Sequence, residues 1–389
     1  YEPRPYIVAL NESLIEEARL KASTFRNSVD GNTPAWLDGP PASDIEALAQ
    51  YWVDEYDWST TQVEINANFS HFYTTVPPPS ENYTEPVDLH FIHQRSSRDD
   101  AIPILFLHGW PSTSLEWGKV IPSLINPESS TDPAFHVVAP DFPGFGFSPD
   151  FTGSRENVTR AEYATIFTDL MSQLKYDRFL LYSTDLGFAV ANSLIVDYAD
   201  RVINHISDFY YIFPTDEDHA RLEANLTTPE ESTYILASDD FFGYHSGYSA
   251  IHRTLPLALA YTLNDSPIGF LAWYYHLADV VSDRPFSPHD VVTNTLLLWI
   301  PGVYGNIRSY KELFGVFIPD ENYTVPTSVL QFGGTQHYPA LEGLTFAPLD
   351  WVERTANVTY FSRCATGGHF PAETVPDVVV GHIRNVAAG

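Results

Sequence analysis

One short stretch of the sequence combines a candidate nucleophile with a turn that would expose it. Residues 178–191, Arg-Phe-Leu-Leu-Tyr-Ser-Thr-Asp-Leu-Gly-Phe-Ala-Val-Ala, predict a short buried strand, a sharp turn and a helix that begins near Gly187. A turn of this kind places a catalytic side chain at its tip. It needs small residues two positions before and two positions after that side chain, and Asp185 has Ser183 and Gly187 there. The stretch therefore predicts that the turn presents Asp185.

The residue type at the tip decides which reaction the turn can serve. Ser183 is the other candidate, but its neighbours two positions away would be Leu181 and Asp185, which are too large for the turn. A serine forms an acyl-enzyme from an ester, whereas a carboxylate suits displacement at a saturated carbon. The competing interpretation is that Asp185 only caps the following helix, which is a common role of aspartate.

The overall charge disfavours two classes of partner. The 389 residues carry 50 acidic side chains against 20 basic ones, a formal net charge of −30 at pH 7. Such a surface repels phosphate backbones and anionic lipid, and no basic cluster offsets it. No apolar run has the length of a membrane span, and no Cys/His spacing is typical of a metal site. We therefore expect no nucleic-acid partner, no membrane span and no metal.

Several features indicate passage through the secretory pathway. Cys364 is the only cysteine, so an intramolecular disulfide is impossible and the compartment stays open on that count. The chain opens at Tyr1 without methionine, as a processed secretory product would. Asn-X-Ser/Thr sequons are several times more frequent than the roughly two that chance would supply. We expect a secreted glycoprotein in which Asn264, within a packed apolar stretch, is unused. The remaining candidates are Asn11, Asn68, Asn82, Asn157, Asn225, Asn322 and Asn357.

Strand and helix signals alternate along much of the chain, which predicts an α/β fold with a mainly parallel sheet. Ser13 and Ser43 begin capping boxes ahead of two N-terminal helices. Ile206–Tyr211 closes the first series of predicted strands, and apolar helical stretches then replace the strand signals up to about Asp320. The predicted division is an N-terminal meander over 1–90, the first half of the core over 91–214, a helical cap over 215–320 and the second half of the core over 321–389.

A histidine and an acid at later positions could complete a catalytic group with Asp185. His369 lies in a Gly-Gly-His-Phe loop directly after the last predicted strand, where the carboxyl edge of a parallel sheet binds ligands. When a strand–turn–helix carries the nucleophile, the acid follows it along the chain and the histidine comes last. Glu342, in the loop after the preceding strand, fits the acid, and Asp350 and Asp208 are the alternatives.

Four motifs, in order, resemble those of one enzyme family. Tyr51–Trp58 together with Phe72–Thr75 is similar to an N-terminal meander, and His108-Gly109-Trp110-Pro111 is similar to an oxyanion-hole motif. Tyr261–Trp273 resembles part of a cap, and Gly367–Phe370 resembles a catalytic-histidine loop. The family is that of the microsomal-type epoxide hydrolases in the α/β-hydrolase superfamily, particularly its soluble fungal members, and the resemblance extends over nearly the whole chain.

This resemblance implies a fold, a reaction and a set of roles. The fold is an α/β-hydrolase fold, with a mostly parallel central sheet, a helical cap inserted into it and an N-terminal meander. The reaction is hydrolysis of a small-molecule epoxide to a vicinal diol through an ester on Asp185. Two cap tyrosines hold the epoxide oxygen, and by motif position these are Tyr248 and Tyr310, with Tyr244 competing with Tyr248.

The resemblance also assigns the hydrolytic half of the reaction. Glu342 orients His369, which activates water, and the backbone N–H groups of Trp110 and Leu186 form the oxyanion hole. His108, Gly109 and Pro111 support that loop, and no metal or organic cofactor is required. Exposed strand edges in the meander would support a homodimer. The sequence departs from the family at Leu186 and Phe188, and these changes put the identity of the substrate in doubt.

Three other functions compete with epoxide hydrolysis. A haloalkane dehalogenase shares the nucleophile and the histidine, but it needs indole N–H donors for the halide, and Leu186 after the nucleophile cannot supply one. A secreted serine esterase acting through Ser183 conflicts with the sterics of the turn. A secreted binding protein that kept the fold without turnover is disfavoured because every expected catalytic residue type is present.

Overall fold

A nine-stranded sheet runs through the described part of the computed structural model, which comprises residues 1–314 and 324–389. The strands lie in the order β1-β2-β3-β5-β4-β6-β7-β8-β9. They are β1 (Arg4–Tyr6), β2 (His71–Val76), β3 (Val87–Gln94), β4 (Ile102–Leu107), β5 (Phe135–Pro140), β6 (Phe179–Ser183), β7 (Val202–Ser207), β8 (Pro326–Phe332) and β9 (Asn357–Cys364).

The sheet is antiparallel at its N-terminal end and parallel elsewhere. Strands β1, β2 and β3 pair antiparallel with one another, and β3 pairs antiparallel with β5. All pairs from β5 through β4 to β9 are parallel. Strands β5 and β6 are buried along their whole length, as expected where helices cover both faces of a parallel sheet. This is the α/β-hydrolase fold expected from the sequence.

Helices cover both faces of the sheet and form the cap. Seven of those in the described residues, α7 to α13, lie between β7 and β8. No helix within the described residues is both long enough and apolar enough to cross a membrane. The helices are α1 (Glu12–Ser23), α2 (Ala42–Asp54), α3 (Trp58–Asn68), α4 (Ile121–Ile125), α5 (Arg160–Gln173), α6 (Asp185–Asp197), α7 (Asp216–Glu223), α8 (Pro229–Asp240), α9 (Gly247–Thr254), α10 (Pro256–Asp265), α11 (Pro267–Val280), α12 (Pro288–Trp299), α13 (Val303–Leu313), α14 (Pro339–Thr345), α15 (Leu349–Val352), α16 (Pro371–Thr374) and α17 (Pro376–Ala388).

Several element boundaries differ from those expected. Asn11 caps α1 by accepting from two backbone N–H groups, and α2 begins after Pro41 without a side-chain cap, so neither Ser13 nor Ser43 is an N-cap. The boundary expected at residue 90 falls inside β3, because β3 is a continuous strand of the central sheet. The homodimer expected from the exposed edge stays a prediction, and that edge is the three-residue strand β1.

The strand expected over Ile206–Tyr211 ends earlier, at Ser207. The Ser207 hydroxyl donates to the carbonyl of Phe209 (2.9 Å) and accepts from its N–H (3.3 Å), which closes a turn at this point. Leu107 of β4 pairs with Ser183 of β6, and Ser183 pairs with Ser207 of β7. The residues that follow these three strands therefore meet at one edge of the sheet.

Candidate active site

Asp185 occupies the tip of the turn between β6 and α6. Its φ of 42° lies in the left-handed region, a strained conformation for a residue other than glycine. Two residues later, a Cβ on Gly187 would overlap the carbonyl oxygens of Leu107 and His108, so only glycine lets α6 approach β4 this closely. Ser183 is fully buried, and its hydroxyl is hydrogen-bonded to Nε2 of His205 (2.8 Å). The turn thus presents the carboxylate and hides the serine.

The loop after β4 supplies a hydrogen-bond donor to this carboxylate. The backbone N–H of Trp110 donates to Oδ1 of Asp185 at 2.8 Å. A Cβ on Gly109 would overlap both Asp185 Oδ1 and the backbone nitrogen of Leu186. Glycine at this position therefore allows the loop to pack directly on the turn, with the backbone of Trp110 and of Leu186 beside the same carboxylate.

His108 supports this loop and is not placed to react. Its ring is fully buried, and burial lowers its pKa, so the ring is neutral. Nε2 accepts from the N–H of Phe142 (3.1 Å), which leaves Nδ1–H to donate to the carbonyl of Gly109 (2.9 Å). Pro111 follows Trp110 and lines the cavity in front of the carboxylate.

The loop after β9 brings His369 to the other oxygen of Asp185. Nε2 of His369 lies 3.6 Å from Oδ2, and the two side chains keep 18% and 16% of their surface exposed. The backbone N–H of His369 donates to the carbonyl of Val281 (3.0 Å), and that of Gly367 donates to Asp283 (2.8 Å). The histidine is therefore held by the segment that follows α11. Its Nε2 lies slightly beyond hydrogen-bonding distance of Oδ2 of Asp185.

Two tyrosines of the cap lie close to the carboxylate. Tyr248 is on α9 and Tyr310 on α13, with ring centroids 5.8 Å apart and hydroxyls within hydrogen-bonding reach of each other. Burial raises the pKa of both, and the charge of Asp185 adds to this, so both phenols are protonated at neutral pH. Both rings contact Trp110, at 6.1 and 5.9 Å. Tyr244 is 83% exposed and does not line the cavity.

Helix α13 is attached to the core on either side of Tyr310. Oδ1 of Asn306, one turn before it, accepts from the indole N–H of Trp110 (3.0 Å). Glu312, two residues after it, accepts from Arg155 through Nε and Nη2 (2.7 and 2.6 Å) and from the hydroxyl of Tyr163 (2.8 Å). These contacts cannot be predicted from the sequence, because the partners are far apart along the chain and carry no local motif.

The structure does not bring Glu342 to His369. Glu342 lies on α14 at the protein surface, exposed to solvent, and lines a separate groove with Arg363. Gly343 beside it packs against Ala237 of α8, which fixes α14 in this position. Asp350 is exposed as well. Asp208, the other alternative from the sequence, is the first residue after β7 and lines the cavity with Asp185 and His369.

The cavity in front of Asp185 is small and mostly apolar, with a volume of about 140 Å³. Its carboxylates are Asp185 and Asp208, and neither lysine nor arginine lines it within the described residues. Those residues contain no cluster of three or more side chains suited to hold a metal ion. The aromatic part of the lining includes Trp110, Phe209, Tyr210, Phe242, Phe314 and Phe332.

Most of the predicted glycosylation sites are exposed. Asn322 lies outside the described residues. Asn264 is also exposed, so the packed surroundings expected for it are wrong. Its Oδ1 nevertheless accepts from the backbone N–H of Val303 (2.9 Å), in the first turn of α13. The exposed candidates are Asn11, Asn68, Asn82, Asn157, Asn225 and Asn357.

Comparison with known proteins finds similarity to epoxide hydrolases and to the α/β-hydrolase fold. Residues 3–117 match the family model described as "Epoxide hydrolase N terminus", and residues 102–208 match "alpha/beta hydrolase fold". Epoxide hydrolase 1 of Sus scrofa is 26% identical over 429 residues, which cover 98% of this chain and 87% of that protein.

Two solved structures share the fold over nearly the whole chain. The juvenile hormone epoxide hydrolase from the silkworm Bombyx mori superposes with a TM-score of 0.86 at 20% identity, covering 100% of this chain and 94% of that one. The Aspergillus niger epoxide hydrolase gives a TM-score of 0.82 at 21% identity, covering 98% and 95%.

Proposed function

We propose that this chain, which matches the models for the epoxide hydrolase N terminus and the α/β-hydrolase fold, hydrolyses epoxides to vicinal diols. The observation that carries the proposal is the surroundings of Asp185. Oδ1 accepts from the Trp110 N–H at 2.8 Å, whereas Oδ2 makes no hydrogen bond within the described residues and lies 3.6 Å from Nε2 of His369. Tyr248 and Tyr310 offer protonated hydroxyls from the cap.

The first step forms an ester on Asp185. Oδ2 attacks one epoxide carbon, the bond between that carbon and the ring oxygen breaks, and the oxygen takes a proton from a cap tyrosine. The two phenols suit this role because burial and the nearby carboxylate keep their pKa values raised and their protons in place. Oδ1 becomes the carbonyl oxygen of the ester and keeps its bond to the Trp110 N–H.

The second step hydrolyses the ester. Nε2 of His369 removes a proton from a water molecule, and the resulting hydroxide attacks the carbonyl carbon of the Asp185 ester. The negative charge that develops on Oδ1 is stabilised by the Trp110 N–H, with the backbone of Leu186 beside it. When this intermediate collapses, the departing alkoxide takes the proton from the His369 imidazolium and the diol is released. The carboxyl proton left on Asp185 then replaces, through solvent, the proton that the tyrosine gave in the first step, which restores the carboxylate. Neither step requires a metal or an organic cofactor.

The same geometry disfavours haloalkane dehalogenation. A departing halide needs N–H donors directed into the cavity, and Leu186 after the nucleophile has none in its side chain. Trp110 is the tryptophan that lines the described cavity, and its indole N–H is already donated to Asn306. A tyrosine pair suits an alkoxide oxygen, which needs a proton as well as a hydrogen bond.

The lining of the cavity favours uncharged substrates. Neither lysine nor arginine is present in the described lining to pair with a carboxylate or a phosphate on the substrate, and the walls are aromatic and aliphatic. The volume of about 140 Å³ is close to that of an apolar cavity that binds benzene. We therefore favour small aryl or alkyl epoxides, such as styrene oxide, over charged ones.

The test of this function traps the ester. In the His369→Gln variant the carboxylate can still open the epoxide, but no base is present to activate water. Intact-mass analysis after exposure to styrene oxide should show one adduct of epoxide mass, whereas the wild type should release styrene glycol. The double variant His369→Gln/Asp185→Asn is the matched control and should stay unmodified. Absence of any adduct in His369→Gln, together with turnover by the wild type, contradicts the two-step scheme.

We also propose that the protein is a secreted glycoprotein, a proposal supported by its exposed sequons. Glycans are expected at several of them and not at Asn264, because its side chain is engaged by the Val303 N–H. Glycopeptide mass spectrometry on protein from the native host tests both points. A chain without glycans contradicts secretion through this pathway, and a glycan on Asn264 contradicts the contact with Val303.

A further inference from the structure

We infer that Asp208, at the carboxyl end of β7, is the carboxylate that positions His369. The inference rests on the proposed function, because it concerns the histidine that activates water in the second step. Asp208 and Asp185 are the two carboxylates in the described lining of the cavity, and Asp185 is the nucleophile. Glu342, the acid expected from the sequence, is exposed in a separate groove.

Asp208 is held firmly by one of its two oxygens. Oδ2 accepts from the hydroxyl of Tyr182 at 2.8 Å, and Tyr182 is fully buried in β6. The backbone N–H of Asp208 donates to the carbonyl of Ser183 (3.4 Å), which ties it to the turn that carries Asp185. The carboxylate is therefore fixed relative to the nucleophile by two contacts with the neighbouring strand.

The other oxygen is free to accept a hydrogen bond. Oδ1 of Asp208 is buried and, like the neighbouring Thr184 hydroxyl, makes no hydrogen bond of normal geometry within the described residues, although that hydroxyl is close enough to lower the pKa of Asp208. A buried acceptor without a partner costs free energy, so its retention next to a cavity needs an explanation. The ring of Phe209, the next residue, lies edge-on against His369 with centroids 5.5 Å apart. The charge of His369 also lowers the pKa of Asp208, so the two side chains that line the same cavity interact electrostatically.

His369 needs an acceptor for the proton on its other ring nitrogen. Its Nε2 faces Asp185, so Nε2 must be free of a proton to accept one from water, and the proton of the neutral ring then lies on Nδ1. A carboxylate that accepts from Nδ1–H fixes this tautomer and stabilises the imidazolium formed when water is deprotonated. Burial raises the pKa of Asp208 to about 6, so it is ionised at neutral pH and can fill that role.

The test separates the two half-reactions in Asp208→Asn, with Glu342→Gln as the matched control. Asparagine keeps an acceptor for the Tyr182 hydroxyl but cannot stabilise the imidazolium. We expect Asp208→Asn to open one equivalent of styrene oxide at a rate within about threefold of wild type. Its ester should then hydrolyse more slowly by on the order of 10²-fold or more and accumulate on Asp185. Glu342→Gln should turn over as wild type and accumulate nothing.

The outcomes distinguish this inference from the proposed function. If wild type forms diol, and Glu342→Gln stalls at the ester while Asp208→Asn does not, only the assignment of the acid is overturned. If wild type forms no diol and His369→Gln forms no adduct, both fail together. Should Asp208→Asn fold poorly by circular dichroism, Tyr182→Phe serves instead. It removes the anchor of Asp208 and should slow ester hydrolysis several-fold without slowing ring opening, and an unchanged hydrolysis rate overturns the inference.

Discussion

Two clusters of histidine and aspartate lie along the same sheet and differ in how many of their polar atoms are paired. In the first, Nδ1 of His71 is bonded to Nε2 of His90 (2.9 Å), and Nδ1 of His90 is bonded to Oδ2 of Asp141 (2.7 Å). In the second, Asp185 and His369 are 3.6 Å apart and both partly exposed. The first cluster is closed, whereas the second keeps atoms available for a substrate.

The hydrogen bonds of the closed cluster require a buried charge. His90 must donate to Asp141, and His71 must donate through Nε2 to the carbonyl of Ile65 (3.2 Å). The bond between the two rings needs a third proton, so the pair carries one positive charge beside Asp141. Burial alone would raise the pKa of Asp141, but the charge and hydrogen bond of His90 outweigh it and hold that pKa below its usual value. Oδ1 of Asp141 also accepts from the N–H of Ser114 (2.7 Å).

The comparison shows which observation marks a reactive site in this protein. Histidine next to aspartate is present in both clusters, so residue type does not distinguish them. The distinguishing feature is an unpaired polar atom beside a cavity, as at Oδ2 of Asp185 and Oδ1 of Asp208. The closed cluster should therefore control stability and the open cluster should control turnover.

The largest effect is expected from Asp185→Asn. Loss of the nucleophile should lower kcat/KM for styrene oxide by at least about 10⁴-fold, as removal of other catalytic nucleophiles does. Asparagine tolerates the left-handed backbone at this position, so thermal stability should not fall. Diol formation and the melting temperature measure the two quantities. Residual activity near that of wild type, or a large drop in melting temperature, contradicts the view that the open cluster controls turnover and the closed cluster controls stability.

Asp141→Asn should produce the opposite pattern. It leaves the buried positive charge of the His71–His90 pair without its counter-charge, which costs about 3–5 kcal/mol of unfolding free energy. Urea unfolding followed by circular dichroism measures the loss. The molecules that stay folded at 15 °C should turn over within a few-fold of wild type. If Asp141→Asn keeps the unfolding free energy of wild type but loses its activity, Asp141 belongs to the reactive cluster.

The cap tyrosines test the open cluster from the opposite side of the cavity. Tyr248→Phe and Tyr310→Phe should each slow ring opening by about 10–100-fold, and the double change should nearly abolish it, since each removes one of the two donors to the epoxide oxygen. Tyr244→Phe, at a residue that is 83% exposed, is the matched control and should be silent. Stopped-flow measurement of ring opening decides the matter, and loss of activity in Tyr244→Phe alone contradicts the assignment.

The parts of the site that the sequence predicts are those with a local signature. Asp185 needs small neighbours two positions away, and Trp110 and His369 lie in short glycine-containing loops directly after strands. Sequence spacing alone separates Asp185 from Ser183, and the structure accordingly buries the serine and presents the carboxylate. These features can be predicted from the sequence because they depend only on the backbone of residues a few positions away.

The parts that the sequence does not predict depend on contacts between distant segments. Glu342 has a suitable position along the chain, but α14 packs on α8 and leaves that side chain in solvent. Asp208 falls within the strand expected over Ile206–Tyr211, and only the turn closed by Ser207 places it at the edge of the sheet. Nothing in the sequence distinguishes His71 or His90 from the other histidines, because their partners are set by strand register.

A smaller effect is expected on the pH dependence of stability in His71→Gln. Burial, followed by the charge of His90, lowers the pKa of His71 to about 4. The unfolded chain, with an ordinary histidine pKa of about 6.5, binds more protons over that interval, so wild-type stability should fall as the pH drops from about 6.5 to about 4. Glutamine can still bond both neighbours and should flatten this slope.

Urea unfolding at pH 7.5 and pH 5.0 measures that slope, and His219→Gln is its control. The hydrogen bond that His219 donates to Asp239 raises the pKa of His219, so that histidine contributes stability that is present at low pH and lost as the pH rises. His219→Gln should therefore leave the acid-side loss in place. Equal slopes in wild type and His71→Gln contradict a neutral His71 in the closed cluster.

The smallest effect is expected at a third pair, Ser183 and His205, which has the composition of a nucleophile and its base but does not line the cavity. The hydroxyl and Nε2 are 2.8 Å apart, both residues are fully buried, and burial lowers the pKa of His205 to about 3. Ser183→Ala should cost about 1–3 kcal/mol of unfolding free energy, because it leaves Nε2 without a partner. Diol formation should stay within about twofold of wild type, since the turn that presents Asp185 needs only a small residue at that position. A 10²-fold loss of turnover in Ser183→Ala, with the unfolding free energy unchanged, would mean that this buried pair takes part in the chemistry. The hydrogen bonding of a histidine would then not tell whether it is structural or reactive.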